Sequence, residues 1–198
     1  METEATDEME NGEQKKSNES SAFELYDWVQ CIVAALVVGI LVFLFVLRVV
    51  SVKGSSMYPT LYDTDKVITS NLFYEPKQGD VIVFQTDTYG KEALVKRIIA
   101  VGGQTVDIDF DTGTVYVDGK ALDEPYVNEL TYEREDFEDE VTVPEGCIFV
   151  MGDNRNHSTD SRSDDVGIVD ERCIIGKVYF ILFPSLEDGI DLKRIGSV

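Results

Sequence analysis

Three short stretches of the chain carry side chains that can act together on an acyl group. The first, residues 54–61, reads GSSMYPTL, and in it Ser56 precedes a stiff Met-Tyr-Pro turn. Such a turn can hold a hydroxyl in an exposed and fixed position, which a serine nucleophile requires. Glycine and serine beside proline are also typical of an ordinary linker, so this stretch alone does not predict an active site.

The second stretch, residues 92–103, reads EALVKRIIAVGG and places Lys96 inside an apolar run. Strand side chains alternate between two faces, so either Lys96 or its neighbours must face the core. Burial disfavours the charged form of a lysine, and a neutral amine can deprotonate a serine hydroxyl. The alternative is that Lys96 extends to the surface or pairs with an acid.

The third stretch, residues 151–162, reads MGDNRNHSTDSR and directly follows the apolar run CIFV. Its density of Asp, Asn and Arg indicates a hydrogen-bonded loop under a site, and a solvent-exposed loop is the alternative. It also contains His157, the only histidine of the chain. A Ser–His–Asp triad would have to combine Ser56, His157 and an acid, and is the rival to a serine–lysine pair.

In this order, and after an apolar N-terminal segment, these stretches resemble the type I signal peptidases, in particular the compact form with one membrane anchor. The motifs that match are SMYPTL at residues 56–61, GDVIVF at 79–84, KRIIAVGG at 96–103 and GDNRNHSTDSR at 152–162. The resemblance implies a membrane-bound serine endopeptidase that removes signal peptides from secreted precursors and cuts after small residues. It implies no cofactor.

At the matching positions, the resemblance implies that Ser56 is the nucleophile and Lys96 its general base. Ser158 is expected to orient the lysine amine through its hydroxyl. Five charged residues are expected to support the site structurally. They are Arg97, which follows Lys96, and Asp153, Arg155, Asp160 and Arg162 of the third stretch.

The turn around the nucleophile is expected to be supported by Gly54, Met57 and Pro59. The Ser56 backbone N–H should help to bind the oxyanion. Some members of the family add a serine side chain two residues before the nucleophile, but this chain has Gly54 there. Met57 and Val95 are expected to form walls of the substrate pocket.

The elements that position these residues begin with an apolar segment. No residue from 28 to 47 is charged. A segment of this length is about what a helix needs to cross the hydrocarbon of a bilayer. We predict an acidic, disordered tail at residues 1–27 and a transmembrane anchor at 28–50. A cleaved secretory signal is disfavoured because the apolar run is long and no A-x-A-like site follows it. A buried core helix is disfavoured because every face of the helix is apolar.

The orientation of this anchor is not fixed by the charges that flank it. Lys15 and Lys16 on one side are matched by Arg48 and Lys53 on the other, so the positive-inside rule gives a tie. The resemblance resolves the tie, since signal peptides present their cleavage sites on the outer face. It implies a cell-membrane protein with a cytoplasmic N-terminus, an extracytoplasmic catalytic domain, and membrane lipid and secreted precursors as partners.

The remaining residues, 51–198, predict a mainly β peptidase domain with a signal-peptidase-like fold. Short runs rich in Val, Ile, Phe and Tyr alternate with turns that contain glycine. Residues 105–143 are predicted to form an inserted β subdomain. The apolar runs are KVITS, DVIVFQ, ALVKRIIAV, TVDIDF, TVYVDG, CIFVMG and CIIGKVYFIL.

Several functions are disfavoured by composition. The formal net charge of −21 argues against nucleic-acid binding, and therefore also against the related serine–lysine fold of the self-cleaving repressors. A transition-metal site has little support from one histidine and no paired cysteines. The non-enzymatic alternative is a membrane-tethered β domain that binds a partner.

Two acidic stretches and two cysteines are given structural interpretations. Asp107, Asp109 and Asp111 alternate as in a calcium loop, but Thr112 stands where that loop needs glycine, so an exposed strand is expected. The acidic residues between 133 and 140 are interpreted as a solvated loop. We expect Cys147 and Cys173 to be free thiols and keep a disulfide between them as the alternative.

Overall fold

A computed structural model describes residues 25–42, 46–86, 88–90, 92–186, 189–190 and 194–198. The chain divides into two units, Met1–Phe45 and Val46–Val198. In the first unit the helix α1, Leu25–Val42, is long and apolar enough to cross a membrane, judged by its length and composition. Most of the predicted acidic tail, residues 1–24, lies outside the described residues.

The second unit is built from strands, which confirms the mainly β prediction. All seven apolar runs form strands, because β-branched and aromatic side chains suit the pleated surface of a sheet. The strands are β1 (Arg48–Ser51), β2 (Lys66–Ser70), β3 (Val81–Phe84), β4 (Leu94–Val101), β5 (Thr105–Asp109), β6 (Thr114–Val117), β7 (Lys120–Ala121), β8 (Val141–Thr142), β9 (Cys147–Met151), β10 (Val169–Asp170), β11 (Ile174–Phe183), β12 (Ser185–Leu186), β13 (Gly189–Ile190) and β14 (Gly196–Ser197). Short 3₁₀ helices cover Arg155–His157 and Glu171–Cys173.

The strands form a large sheet, a smaller sheet and a two-stranded ribbon. In the large sheet the order is β1-β2-β11-β3-β4-β9-β10, with β14 paired to β11. The smaller sheet has the order β7-β6-β5-β8 and falls between residues 105 and 142. All of the pairs are antiparallel, including β12 with β13.

The start of β1 differs from the sequence-based expectation. Residues 48–50 were predicted within the anchor, but they pair with β2, with Arg48 opposite Thr69 and Val50 opposite Val67. Val49 and Val50 continue the apolar run after the charged Arg48, and apolar residues suit both a membrane helix and a strand, so composition alone could not mark the boundary. These residues belong to the sheet.

The core lies where the central strands are covered on both faces. Every residue of β3 is buried, and five consecutive residues of β4, 96–100, are buried as well. Each fully buried Val, Ile or Phe side chain stabilises the fold by about 1.5–3 kcal/mol. Because β4 lies between β3 and β9, Lys96 and Arg97 are enclosed together with the apolar residues around them.

The carboxylate of Asp109 closes a turn, and the two cysteines of the β domain are unpaired. The Asp109 carboxylate accepts hydrogen bonds from the backbone N–H groups of Asp111 and Thr112, and thereby closes the turn between β5 and β6. Cys147 and Cys173 are free thiols, each half-buried.

Candidate active site

The nucleophile candidate Ser56 lies in the tight turn between β1 and β2. The turn is closed by backbone hydrogen bonds from Tyr58 to Ser55 and from Leu61 to Met57, of 3.1 and 2.9 Å. Gly54 has a φ of 82°, which favours glycine, and its N–H donates to Asp63 Oδ1 at 2.7 Å. The Tyr58–Pro59 peptide bond is cis. The half-buried Ser56 is therefore fixed by bonds on both sides.

The side chain of Met57 packs this turn against the core. Its side chain is 1% exposed and packs in a core cluster with Val52, Leu61 and Val67. Its apolar side chain is part of the core. The expectation that Met57 forms a wall of the substrate pocket stays a prediction.

A cleft of about 560 Å³ contains both catalytic candidates. Ser56 comes from the turn after β1, and Lys96 comes from β4. Val95 also lines the cleft. The residues around the cleft are Val50, Ser51, Lys53, Gly54, Ser55, Ser56, Tyr89, Glu92, Ala93, Leu94, Val95, Lys96, His157 and Thr159.

Lys96 is almost completely buried, with 2% exposure. Burial lowers the pKa of its amine to about 8, against the opposing attraction of the Asp160 carboxylate. Within the described residues, no side chain forms a hydrogen bond or ion pair with this amine. Roughly a tenth of the lysine is therefore neutral at pH 7, and its lone pair is free to accept a proton.

The loop after β9 places Ser158 beside a fully buried carboxylate. The Ser158 hydroxyl donates to Asp160 Oδ2 at 2.8 Å, and the Gly152 N–H donates to the same oxygen at 2.9 Å. Arg162 donates to both Asp160 oxygens, each at 2.9 Å. Burial alone would raise the pKa of Asp160, but the Arg162 guanidinium holds it below its usual range. Asp160 stays ionised, and Ser158 keeps its oxygen lone pairs available.

A second ion pair connects β4 to the same loop. Arg97 donates to both carboxylate oxygens of Asp153, at 2.8 and 2.7 Å, and to the Gly79 carbonyl at 2.8 Å. The Thr60 hydroxyl donates to Asp153 as well, so the nucleophile turn joins the pair. The Arg97 guanidinium also stacks 3.9 Å from the ring centre of Tyr126. This pair fixes the residue next to Lys96.

Direct contacts join the nucleophile turn to the loop after β9. The Asn154 N–H donates to the Ser56 carbonyl, and the Asn154 side-chain amide donates to the Ser55 carbonyl, both at 3.0 Å. A Cβ on Gly152 would lie 2.2 Å from Ser158 Oγ and 2.5 Å from the Ser56 oxygen. Only glycine leaves room for this approach.

The structure also adds residues that the sequence analysis missed. Both terminal nitrogens of the buried Arg155 bond the Glu124 carboxylate, and Nη1 also donates to Thr131 at 2.9 Å. Asn154 lies inside the motif at residues 152–162, but its residue type alone indicated no role there. Glu124 and Tyr126 lie outside the four motifs. The Arg155–Glu124 contact spans 31 positions of sequence, so no local pattern indicates it.

His157 is exposed at the rim of the cleft. Its backbone N–H donates to the Asn154 carbonyl at 2.9 Å. Within the described part of the chain, no carboxylate forms a hydrogen bond with its ring. The orienting acid of a Ser–His–Asp triad is therefore not in place, whereas Lys96 is buried beside the same cleft.

Comparison with known proteins identifies a single family. The family model described as signal peptidase, peptidase S26, matches residues 25–183. Signal peptidase I of Bacillus licheniformis is 37% identical over 186 residues, which cover 88% of this chain and 96% of that protein. Signal peptidase I T of Bacillus subtilis strain 168 is 36% identical, covering 91% and 96%. Signal peptidase IB of Staphylococcus aureus is 35% identical, covering 83% and 92%.

A solved structure was also found. The crystal structure of a signal peptidase I from Enterococcus faecalis V583 is 31% identical, with a TM-score of 0.44. The match covers 52% of this chain and 97% of that chain.

Proposed function

This chain belongs to the signal peptidase family S26 and is a serine endopeptidase of the signal peptidase I type, and from this premise we propose that it removes signal peptides from secreted precursors with a Ser56–Lys96 dyad. The single observation that carries the proposal is the enclosure of Lys96. Lys96 is 2% exposed, its amine has a lowered pKa, and the residue lines the same cleft as Ser56.

The chemistry follows from the protonation states. Neutral Lys96 accepts the Ser56 proton, and Ser56 Oγ attacks the scissile carbonyl to give a tetrahedral intermediate. The Lys96 ammonium then protonates the leaving amine, so the peptide bond breaks and an acyl-enzyme remains. Lys96, neutral again, removes a proton from water, which attacks the ester and releases Ser56 with its proton restored.

The Ser158 hydroxyl supports this cycle by orienting the amine. Its proton is engaged by Asp160, so the oxygen is left to accept a hydrogen bond from Lys96. For the oxyanion, the Ser56 N–H accounts for one donor. The Gly54 N–H is engaged by Asp63, so it does not supply a second donor in this arrangement.

An unpaired strand edge supports binding of an extended substrate. Residues 94–96 of β4 pair with β3 on one side, whereas pairing with β9 on the other side begins only at Arg97. Within the described residues, no strand pairs with this edge, which lines the cleft together with residues 50–51 of β1. An extended precursor can add to it by backbone hydrogen bonds, with small side chains directed into the shallow space beside Val95.

The placement in the membrane is part of the same proposal. The α1 helix serves as the anchor of a cell-membrane protein, with a cytoplasmic N-terminal tail of about residues 1–27 and the peptidase domain outside. Residues 105–143 form its inserted subdomain. Protease protection of oriented vesicles tests this topology: the tail should be protected on the side where the peptidase domain is digested.

The enzymatic test uses the full chain in detergent and a precursor with a small-x-small cleavage site. Ser56→Ala and Lys96→Ala should each abolish cleavage, whereas His157→Ala should retain it. Loss of cleavage in His157→Ala with full retention in Lys96→Ala would replace the dyad by a serine–histidine mechanism. If the unmodified chain cleaves nothing while a related signal peptidase cleaves the same precursor, the binding-domain interpretation takes precedence.

A further inference from the structure

A segment from the other end of the β domain binds the turn that follows Ser56. We call residues 194–198 the clamp segment. Arg194 Nη2 donates to the Thr60 carbonyl at 3.1 Å and to Asp65 Oδ2 at 2.8 Å. The clamp segment is itself held by the main sheet, because its strand β14 pairs with β11. One side chain of a sheet-bound segment therefore reaches the nucleophile turn.

Asp65 is the residue at which the turn and the clamp segment meet. Its carboxylate is fully buried. Oδ2 accepts from the Tyr62 N–H at 2.9 Å as well as from Arg194, and Oδ1 accepts from the Ser185 N–H at 2.6 Å. The Asp65 N–H donates back to the Tyr62 carbonyl at 3.2 Å. Arg194 supplies the positive charge that a buried carboxylate requires.

A stack of side chains extends this contact towards Ser56. The Arg194 guanidinium lies 3.8 Å from the ring centre of Tyr62. The Tyr62 ring meets the Tyr58 ring edge-on, with 5.2 Å between the ring centres. Tyr58 is two residues from Ser56, and its N–H donates to the Ser55 carbonyl at 3.1 Å. The stack therefore ends at the hydrogen bond that closes the turn around Ser56.

Thr60 connects Arg194 to the strand that carries Lys96. The Thr60 carbonyl accepts from Arg194, and the Thr60 hydroxyl donates to Asp153. Asp153 pairs with Arg97, the residue next to Lys96. The position of Thr60 is thus fixed by the clamp segment on one side and by the support of the lysine on the other.

We propose that Arg194 is a positioning residue for the nucleophile, and that it holds the turn between Ser56 and Asp65 at the distance from Lys96 that proton transfer requires. The inference rests on the proposed function, in which Ser56 is the nucleophile and Lys96 its base. Arg194 is not among the residues that line the cleft, so it acts through the turn. A misplacement of about 1 Å lowers the rate of a positioned reaction by up to about 10²-fold, whereas a purely structural contact changes stability alone.

The test compares Arg194→Ala with Lys177→Ala in the full chain. Each substitution removes a partly exposed cation from a salt bridge with a more deeply buried aspartate, Asp65 or Asp80. The values of kcat and KM for precursor cleavage are measured per folded chain, well below the Tm of each variant. Arg194→Ala should lower kcat on the order of 10-fold and change KM by less than about twofold. Lys177→Ala should lower Tm and keep kcat.

Tyr62 provides a second pair of variants, in which the buried Asp65 keeps its cation. Tyr62→Leu removes the ring between Arg194 and Tyr58 and should lower kcat, whereas Tyr62→Phe keeps the ring and should restore it. Arg194→Ala and Tyr62→Leu disturb the same contact. Their combination should therefore lower kcat by less than the product of the two single effects.

Equal values of kcat in folded Arg194→Ala and Lys177→Ala would overturn the inference, because Arg194 would then stabilise the fold alone. If Arg194→Ala does not fold, the Tyr62 pair decides, and equal kcat in Tyr62→Leu and Tyr62→Phe overturns the inference as well. If Ser56→Ala retains cleavage, the proposed function itself fails, which is a separate and distinguishable result.

Discussion

The backbone N–H of Asn154 donates a 3.0 Å hydrogen bond to the backbone carbonyl of Ser56. This bond joins the turn that carries Ser56 to the loop that carries Ser158 and Asp160. The amide side chain of Asn154 repeats the connection through the Ser55 carbonyl. The relative positions of Ser56 and the Ser158 hydroxyl thus depend on main-chain atoms, which a side-chain substitution cannot remove but can displace.

Gly152→Ala should displace them. The added Cβ would overlap Ser158 Oγ and the Ser56 carbonyl oxygen, so the two loops must separate. We expect a loss of kcat/KM of at least about 10²-fold and a destabilisation of about 1–3 kcal/mol. Cleavage assays and thermal unfolding of the detergent-solubilised chain measure both. Gly196→Ala is the matched control, because a Cβ there meets nothing within 4 Å; equal effects of the two substitutions would contradict the prediction.

Lys96→Met should give an inactive protein that is more stable than the unmodified chain at pH 7. The amine has a pKa of about 8 when folded and 10.5 as its ordinary value, so the unfolded state binds more protons between these pH values. Stability of the unmodified chain therefore rises as pH rises from 8 to 10.5, and below pH 8 the full penalty of about 3 kcal/mol applies.

The measurement is the free energy of unfolding of both proteins at several pH values. The advantage of Lys96→Met should be largest below pH 8 and should shrink as pH approaches 10.5. The prediction would be contradicted if Lys96→Met were less stable than the unmodified chain at pH 7, or if the difference in their free energies of unfolding did not change with pH. Either result would mean that burial of the Lys96 amine does not destabilise the fold.

Ser158→Ala should reduce kcat much more than it changes KM or stability. The hydroxyl donates to Asp160, and Ser158 is not among the residues that line the cleft. A loss of kcat on the order of 10²-fold is expected. Thr159→Ala, one residue further along and on the cleft wall, is the control and should retain most of kcat. The expectation fails if both substitutions lower kcat equally.

Arg155→Ala should destabilise the fold by about 3–5 kcal/mol. Its removal leaves the nearly buried Glu124 carboxylate without its cation partner. Arg172 pairs with Asp170 at the surface with a 90% exposed side chain, so Arg172→Ala should produce no measurable change. Chemical unfolding of the two variants in parallel makes the comparison, and similar midpoints would refute it.

The fold was predictable to the extent that strands were long enough to show a pattern. The seven apolar runs are strands, including β11 with its ten residues. Two-residue strands such as β7, β8 and β10 have no periodicity and pair through main-chain groups, so their side chains carry no signal. The pairing order, in which β11 lies between β2 and β3, also has no local marker.

The candidate site was predictable in its principal residues and not in its supports. Ser56 and Lys96 were indicated by motif and by the position of a lysine in an apolar run, and the structure places both at one cleft. The partner of Arg155, by contrast, was one of many acidic residues in a chain with 38 of them. Asn156 was a polar loop residue until the structure showed four hydrogen bonds between its side chain and residues 129–133.

The Asn154–Ser55 hydrogen bond joins positions that are 99 residues apart in sequence. During synthesis, Ser55 and Ser56 leave the ribosome long before the loop that contains Asn154 and Ser158 has been made. Closing a loop of this length costs conformational entropy before the contact stabilises anything, which slows folding. The segments that hold Ser56 and Ser158 can therefore be joined only after the chain has been synthesised past Asn154.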